Sequence, residues 1–398
     1  MSSHNFHRMG RPTRVLLCTL LIVLALGGCG GGVDSGGTGA PRSASASGPI
    51  TGFGSVIVNG VHFDYSSASI TDAEGTVHSS GDLKLGMTTT INGSGFVMDA
   101  NGARSTATNF VFGSAIFGPI DSLSTNSLVV LGQTVDVKPI TVFEVGLSGG
   151  LAALSVNDFV EVYALFNASI GHYIAMRIER KSGVLAYRLR GMVSNLNTGD
   201  KSFNMGPDKI SYAGVPAGDA LTALANGRFA QVQLQTAPVG GVWIAIRLRD
   251  GVGPLENRDD ARIEGLISDF TSGTQFSVDG VSVDASRANV AGSVALGLGI
   301  RVAVEGTASS GVLVASQVQS KTETDVENEG FELDGSISRI DTTNKNFVLN
   351  GVTVDYSGSV VFLNGTISDV AVGKRVEVKG IVSADGTGLQ AFRIQFTL

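Results

Sequence analysis

Internal repetition constrains this chain most, because segments that recur at a fixed interval must each fold as the same small unit. Five segments open with Gly-x-(Ile/Val): Gly48-Pro49-Ile50, Gly118-Pro119-Ile120, Gly191-Met192-Val193, Gly265-Leu266-Ile267 and Gly335-Ser336-Ile337. They recur at intervals of 70, 73, 74 and 70 residues. The next block reads SVIVNGVHFD (55–64), SLVVLGQTVDV (127–137), SFNMGPDKISY (202–212), QFSVDGVSVDA (275–285) and NFVLNGVTVDY (346–356). Each is a hairpin pattern. Asn59-Gly60, Asp279-Gly280 and Asn350-Gly351 supply the residue types that tolerate the positive φ of a type I′ turn. A third block alternates apolar and polar residues after a Leu-x-x-Gly lead-in. It is clearest at Leu296–Gly306 and Val370–Gly380, with weaker copies at Leu154–Tyr163 and Leu224–Gln233. The fourth block places an apolar residue three positions after an alanine: Ala107/Phe110, Ala175/Ile178, Ala245/Leu248, Ala315/Val318 and Ala391/Ile394.

The apolar period is two almost everywhere, so the body is all-β, with one buried and one wet face per strand. Strand, hairpin, longer connection, second hairpin is the strand order of the OB-fold. The expectation is five tandem small OB-like β-barrel repeats of about 70 residues. The alternative is a β-sandwich spread over paired repeats. Repeat 1 is placed at 48–113, repeat 2 at 114–182, repeat 3 at 186–250, repeat 4 at 261–321 and repeat 5 at 331–398. Asp250–Ala261 and Lys321–Phe331 read as polar, charged linkers, which predicts barrels strung like beads, with repeats 1 and 2 abutting directly near Gly113–Ile116.

The N-terminus reads as an address. Arg8, Arg11 and Arg14 precede the apolar run Val15–Leu26, which is too short to span a bilayer as a mature helix. It ends in Leu26-Gly27-Gly28-Cys29, the pattern of a bacterial lipobox. Residues 1–28 are expected to be a lipoprotein signal peptide, with Cys29 lipidated. Residues 29–47, rich in Gly, Ser and Ala, read as a flexible tether. Cys18 is discarded with the signal and Cys29 is blocked, which leaves no thiol for a disulfide or metal site. Gly30 is not the aspartate of inner-membrane retention. The expected location is therefore the outer membrane, on its periplasmic or cell-surface side.

The Gly-x-Ile opening, the F-x-V-x-G-V-x-V hairpin, the V-G-x-x-V-x-V-x-G strand and the lipobox together resemble Gram-negative lipoproteins built of tandem β-rich domains of unknown function. The resemblance covers roughly residues 48–396. It implies an envelope location and no established activity. Repeat 5 fits it best. Repeat 3 departs most, with Gly206-Pro207-Asp208 in place of Asn-Gly.

Few residues carry chemistry. His62, His78 and His172 fall in two repeats without metal-ligand spacing. No G-x-S-x-G elbow occurs. Gly52-Phe53-Gly54-Ser55 leads into a strand and reads as a bend, not a phosphate cradle. Asp259 and Asp260 read as solvated linker carboxylates. The run Glu323, Asp325, Glu327, Glu329, Glu332 lacks a Ca²⁺ loop pattern and reads as a charged spacer. Arg177, Arg247 and Arg393 recur in the last strands as an anion-contacting row or an outward edge. Trp243 and Tyr173 read as core or rim residues, with sugar stacking as the functional alternative. The formal charge of -7 argues against a nucleic-acid partner. The sequence predicts no catalytic, cofactor-binding or metal-binding residues and no cofactor. The expectation is a non-enzymatic, lipid-anchored envelope protein. Its domains serve as a spacer and a protein-binding or adhesion array, or alternatively as a glycan- or envelope-polymer-binding module on a barrel face.

Overall fold

A computed structural model describes residues 41–99, 102–253 and 255–397. Cys29, the signal peptide and most of the expected tether lie outside the described residues. All five hairpins form where the pattern puts them, from Val56–Val58 with Val61–Asp64 to Asn346–Leu349 with Val352–Asp355. Their turns take left-handed backbone at both Asn59 and Gly60, Asp279 and Gly280, and Asn350 and Gly351. Leu131-Gly132 does the same. In repeat 3 only Gly206 has positive φ, because Pro207 fixes its own φ near −65°.

Every repeat closes by itself. In repeat 4 the first strand, Arg258–Ser272, pairs the hairpin strand Gln275–Val278 through its second half. Its first half pairs the fourth strand, Arg301–Ser309. The fifth strand, Val312–Lys321, runs antiparallel to the fourth and parallel to the third, Val281–Asp284. The circuit 1-2-3-5-4-1 is OB-like, and it recurs in all five repeats. The sandwich spread over two repeats is not formed. A short strand or turn follows each hairpin, and in repeat 3 this is the helix Asp219–Thr222.

The recurring sequence marks have specific work. The isoleucine or valine of Gly-x-(Ile/Val) exchanges two backbone hydrogen bonds with the lead-in to the fourth strand. Gly86, Asn157, Gly227, Gly299 and Gly373 donate to the carbonyls of Ile50, Ile120, Val193, Ile267 and Ile337, whose own amides donate in return to the carbonyls of Met87, Asp158, Arg228, Ile300 and Lys374, all at 2.8–2.9 Å. The lead-in residue sits at φ of 72–84°, which explains the glycine of Leu-x-x-Gly. The signature glycine itself is closely covered, by its own repeat's hairpin at Gly118, Gly265 and Gly335 and by a neighbouring repeat at Gly48 and Gly191. A Cβ on Gly118 would come 2.6 Å from the Leu131 side chain, and one on Gly191 2.6 Å from the Tyr173 hydroxyl. The alanine of the fourth block marks a β-bulge. The register of strands four and five slips by one residue just after Ala107, Ala175, Ala245, Ala315 and Ala391. The extra residue sharpens the bend that closes a small barrel.

The repeats are not beads. The first half of each first strand uses one edge for strand four, and its other edge is covered by a neighbouring repeat. In repeat 1 that strand starts at Ser43, so residues 43–47 are not tether. Ala44 to Ser47 pair in parallel with Asp260 to Ile263 of repeat 4. Further along, Gly52 and Phe53 pair with Glu332 and Leu333 of repeat 5. Repeats 2 and 3 join by Phe117 and Ile116 against Arg188 and Leu189. These backbones approach so closely that a Cβ on Gly54 would come 2.4 Å from the Asp334 carbonyl. The glycines of Gly52-Phe53-Gly54-Ser55 thus make room for another repeat. The linkers are structured as well. Asp259 and Asp260 lie in the first strand of repeat 4, which begins at Arg258 and not at Ala261. Lys321–Phe331 contains the helix Glu323–Glu329, capped by Thr322 accepting from the Asp325 amide.

Repeats 1 and 5 share one apolar core, and repeats 2 and 3 share another. Leu165, Met176 and Leu266 join repeats 2 and 4. Beside them Glu264, 7% exposed, binds Arg301 at 2.7 Å and Lys321 at 3.2 Å. Burial alone would push the Glu264 carboxyl up, but the Arg301 guanidinium and Lys321 ammonium outweigh it and hold it below its ordinary 4.5. The stability this carboxylate contributes is therefore complete above 4.5 and is lost as pH falls through the depressed folded value. Lys321 is raised above its ordinary 10.5, because Glu264 and Glu329 outweigh the effect of burial. Its contribution persists until pH rises through that value. Glu264→Gln leaves two buried cations short of a partner and is expected to lower the unfolding free energy by about 3 kcal/mol at neutral pH. Denaturant melts are also expected to show the variant losing less stability than the parent between about pH 5 and 3. An unchanged acid limb would contradict this assignment.

Candidate functional site

The residues singled out by sequence do not converge on one centre. His62 Nδ1 lies 3.1 Å from Ser55 Oγ, His78 Nε2 3.1 Å from Asp72, and His172 Nδ1 3.2 Å from Asp136. These are three separate places. Among the described residues no group of three His, Cys, Asp or Glu side chains is placed to hold a metal ion. Asp260 accepts from Arg42 at 2.7 Å and from the Phe96 amide at 3.0 Å, and Asp259 accepts from the Ser43 amide at 2.9 Å. Both carboxylates clamp repeat 1 to repeat 4. The acidic run is likewise engaged: Glu323 with Lys138, Glu329 with Lys321, Glu332 with Lys379. The arginines form no row, because each follows its own barrel's bulge. Arg177 is buried on Glu179 and the Leu85 carbonyl, Arg393 pairs with Glu377, and Arg247 is exposed. Tyr173 is core, its hydroxyl donating to the Arg190 carbonyl at 2.8 Å. Trp243 sits at the rim of repeat 3, edge-on to Tyr187, with Nε1 donating to Asp208 at 3.3 Å.

The barrel cores are filled by side chains such as Phe63 and Phe110, Tyr173, Phe203 and Phe347. Open space lies between repeats instead. A cleft of about 380 Å³ opens where repeats 1, 2 and 3 meet. Repeat 1 supplies Asp72, Glu74, His78, Asp82 and Lys84. Glu161, Tyr163, Glu179 and Lys181 come from the last hairpin of repeat 2, and Arg188 from the first strand of repeat 3. Phe112 and Phe117 provide apolar walls. Arg249 of repeat 3 donates to the Ala73 and Glu74 carbonyls and so pins the loop of repeat 1 that forms one rim. A second cleft, of about 330 Å³ between repeats 1 and 5, carries His62, Arg104, Glu332, Asp334 and Arg375.

The charges of the larger cleft are held by one another. Glu161 accepts from Ser114 at 2.9 Å and Arg188 at 3.1 Å, and it pairs with Lys181 at 3.2 Å. Glu179 accepts from Arg177 at 2.5 Å and Lys181 at 2.7 Å. Arg188 also lies 2.7 Å from Glu74 and stands over the Phe117 ring at 5.8 Å. Burial pushes the Glu179 carboxyl up, but Arg177 and Lys181 overcome it and hold it below the usual carboxylate range. At Asp72 burial is again outweighed, here by His78 and the Thr76 amide. Asp82 is lowered by the Ser79 amide and hydroxyl. Tyr163 differs: its ring is 2% exposed and lines the cleft, and its hydroxyl makes no hydrogen bond among the described residues. Burial, then Glu161 and Glu179, push this phenol well above its ordinary value. The sequence carried no signal for this site. Its residues come from three repeats and share no spacing across them; only the alternations Glu161, Tyr163 and Glu179, Lys181 place cleft residues on neighbouring positions of one strand face.

Residues 117–179, 264–319 and 334–395, in repeats 2, 4 and 5, match DUF5666, a domain of unknown function. No curated protein matches the chain. Among solved structures it is similar to drosophila Unr CSD456, at 15% identity over 55% of this chain and 98% of that chain, with a TM-score of 0.14.

Trp243, the single tryptophan, reports on Asp208. Burial and then Asp121 raise this carboxyl above its ordinary 3.8, against the hydrogen bonds from Gln133 and Trp243. A raised carboxyl binds its proton more tightly in the folded state, so this group adds stability as pH falls, opposite in sign to Glu264. Tryptophan fluorescence is expected to titrate with a midpoint above 3.8 and to lose that step in Asp208→Asn.

Proposed function

We propose that this chain, which carries three copies of DUF5666 in a five-barrel body, is a non-enzymatic, lipid-anchored protein of the Gram-negative envelope. Diacylglycerol on Cys29 holds it at the outer membrane, and the barrels act as a protein-binding or adhesion surface. The observation that carries this reading is where the open space lies. The barrel cores are packed with side chains, and the two large polar clefts both lie where repeats meet, so assembly creates the recognition surfaces. The shifted carboxyls of the larger cleft are also poorly disposed for acid catalysis. General acids in hydrolases are carboxyls raised toward neutrality, whereas the shifted carboxyls Asp72, Asp82 and Glu179 are all lowered. Edge-to-edge packing shortens the reach of five repeats, so display takes precedence over spacing in this proposal.

A second reading is favoured by the hydrogen-bonding lining of the larger cleft: binding of a glycan or another envelope polymer. The anchor is tested by labelling cells with radioactive palmitate and separating membranes. The parent chain is expected to be labelled and membrane-bound, and Cys29→Ala unlabelled and released. A labelled, sedimenting variant would sink the lipoprotein assignment. Protease shaving of intact and lysed cells then separates the two readings: cleavage on intact cells supports adhesion, and protection until lysis supports a periplasmic polymer.

A further inference from the structure

We propose that the cleft between repeats 1, 2 and 3 binds one neutral, hydroxyl-rich ring, a single sugar unit of an envelope glycan; this rests on the glycan-binding reading above. The first reason is Tyr163. Its ring is almost fully buried, its hydroxyl has no protein hydrogen-bond partner among the described residues, and it borders an open cleft. A ligand hydroxyl placed there would both donate and accept. The second reason is the lining. The cleft has the volume of a small-molecule site. Carboxylates of Glu161 and Glu179, the ammonium of Lys181 and the guanidinium of Arg188 alternate around it as acceptors and donors. They are fixed in place by one another, so little ordering is required on binding. Phe112 and Phe117 add apolar surface to this polar lining.

Charge selects among ligands. Five carboxylates line the cleft, Asp72, Glu74, Asp82, Glu161 and Glu179, against the three cations Lys84, Lys181 and Arg188. That balance repels phosphate and other anions. A cationic ligand fares little better, because Lys181 and Arg188 already occupy Glu161 and Glu179 at hydrogen-bond distance. A neutral polyol gains hydrogen bonds without displacing an ion pair.

The test uses the full chain in detergent micelles, titrated calorimetrically with glucose, galactose and N-acetylglucosamine, and with inorganic phosphate and putrescine as charged comparators. At least one neutral sugar is expected to bind. Tyr163→Phe should weaken it about fivefold while leaving the melting temperature unchanged, since the removed hydroxyl has no protein partner to lose. Tyr173→Phe, which deletes a hydroxyl bonded inside the repeat 2 core, should lower the melting temperature and leave sugar affinity unchanged. The proposal is overturned if no sugar binds at millimolar concentration, if Tyr163→Phe binds equally well, or if phosphate or putrescine binds more tightly. Sedimentation with isolated peptidoglycan sacculi separates this from the broader reading. If sacculi retain the parent and Tyr163→Phe alike while free sugars fail, glycan binding stands and the cleft assignment falls. If nothing is retained, both fall.

Discussion

Backbone pairing between first strands holds the rest of the molecule in place. A small barrel of this topology bends its first strand, and the bend leaves half of one edge unpaired. An unpaired edge is a liability that must be covered. Here the cover is another copy of the same strand: Ala44 to Ser47 against Asp260 to Ile263, Gly52 and Phe53 against Glu332 and Leu333. The ladder uses main-chain groups only, so it asks little of the side chains beyond small size. Ala44 and Ala46 are fully buried and Gly52 has no room for a Cβ. The ion pairs follow from that geometry. Arg42 with Asp260 and Arg301 with Glu264 sit beside ladders that already fix their backbones.

The barrels themselves were legible because their instructions are local. A two-residue turn with Asn-Gly, an alternating run and a glycine that must be left-handed are each read within a dozen residues. The recurrence of each element five times removes the ambiguity of any single copy. Even the alanine of the fourth block carried information, although its meaning, a bulge, needed the register to be seen. The parts that were not legible are the parts whose partners lie far away in sequence. Ser43–Ser47 looks like tether because Ser and Ala carry no strand signal of their own, and strand 258–263 is some two hundred residues downstream. Asp259 and Asp260 look solvated until Ser43, Arg42 and Phe96 arrive. The run from Glu323 to Glu329 contains its own cap, Thr322 with Asp325, which is a local signal that the density of charge obscured.

The same reasoning explains why the cleft escapes a motif search. Repetition gives five similar barrels, yet the cleft residues are those at which the repeats differ. Glu179 is replaced at the matching position by Gln319 in repeat 4 and Gln395 in repeat 5, and Arg188 owes its position to the antiparallel contact of repeats 2 and 3. A repeat protein thus keeps its common residues for closure and places its individual ones at the joints. Specific chemistry is to be sought there, between copies, and not at any position that recurs.

The parallel ladder of repeat 1 also sets an order of events. Its strand from Ser43 is made first, but its outer edge is covered only by residues near 260 and 332. A chain that emerges N-terminus first therefore carries a closed leading barrel with an uncovered outer edge until nearly all of it has been delivered. Closing such long loops is slow. Maturation is in this sense circular, with the last repeat finishing the first, and a truncated product would leave its oldest edge exposed to pairing with a neighbour.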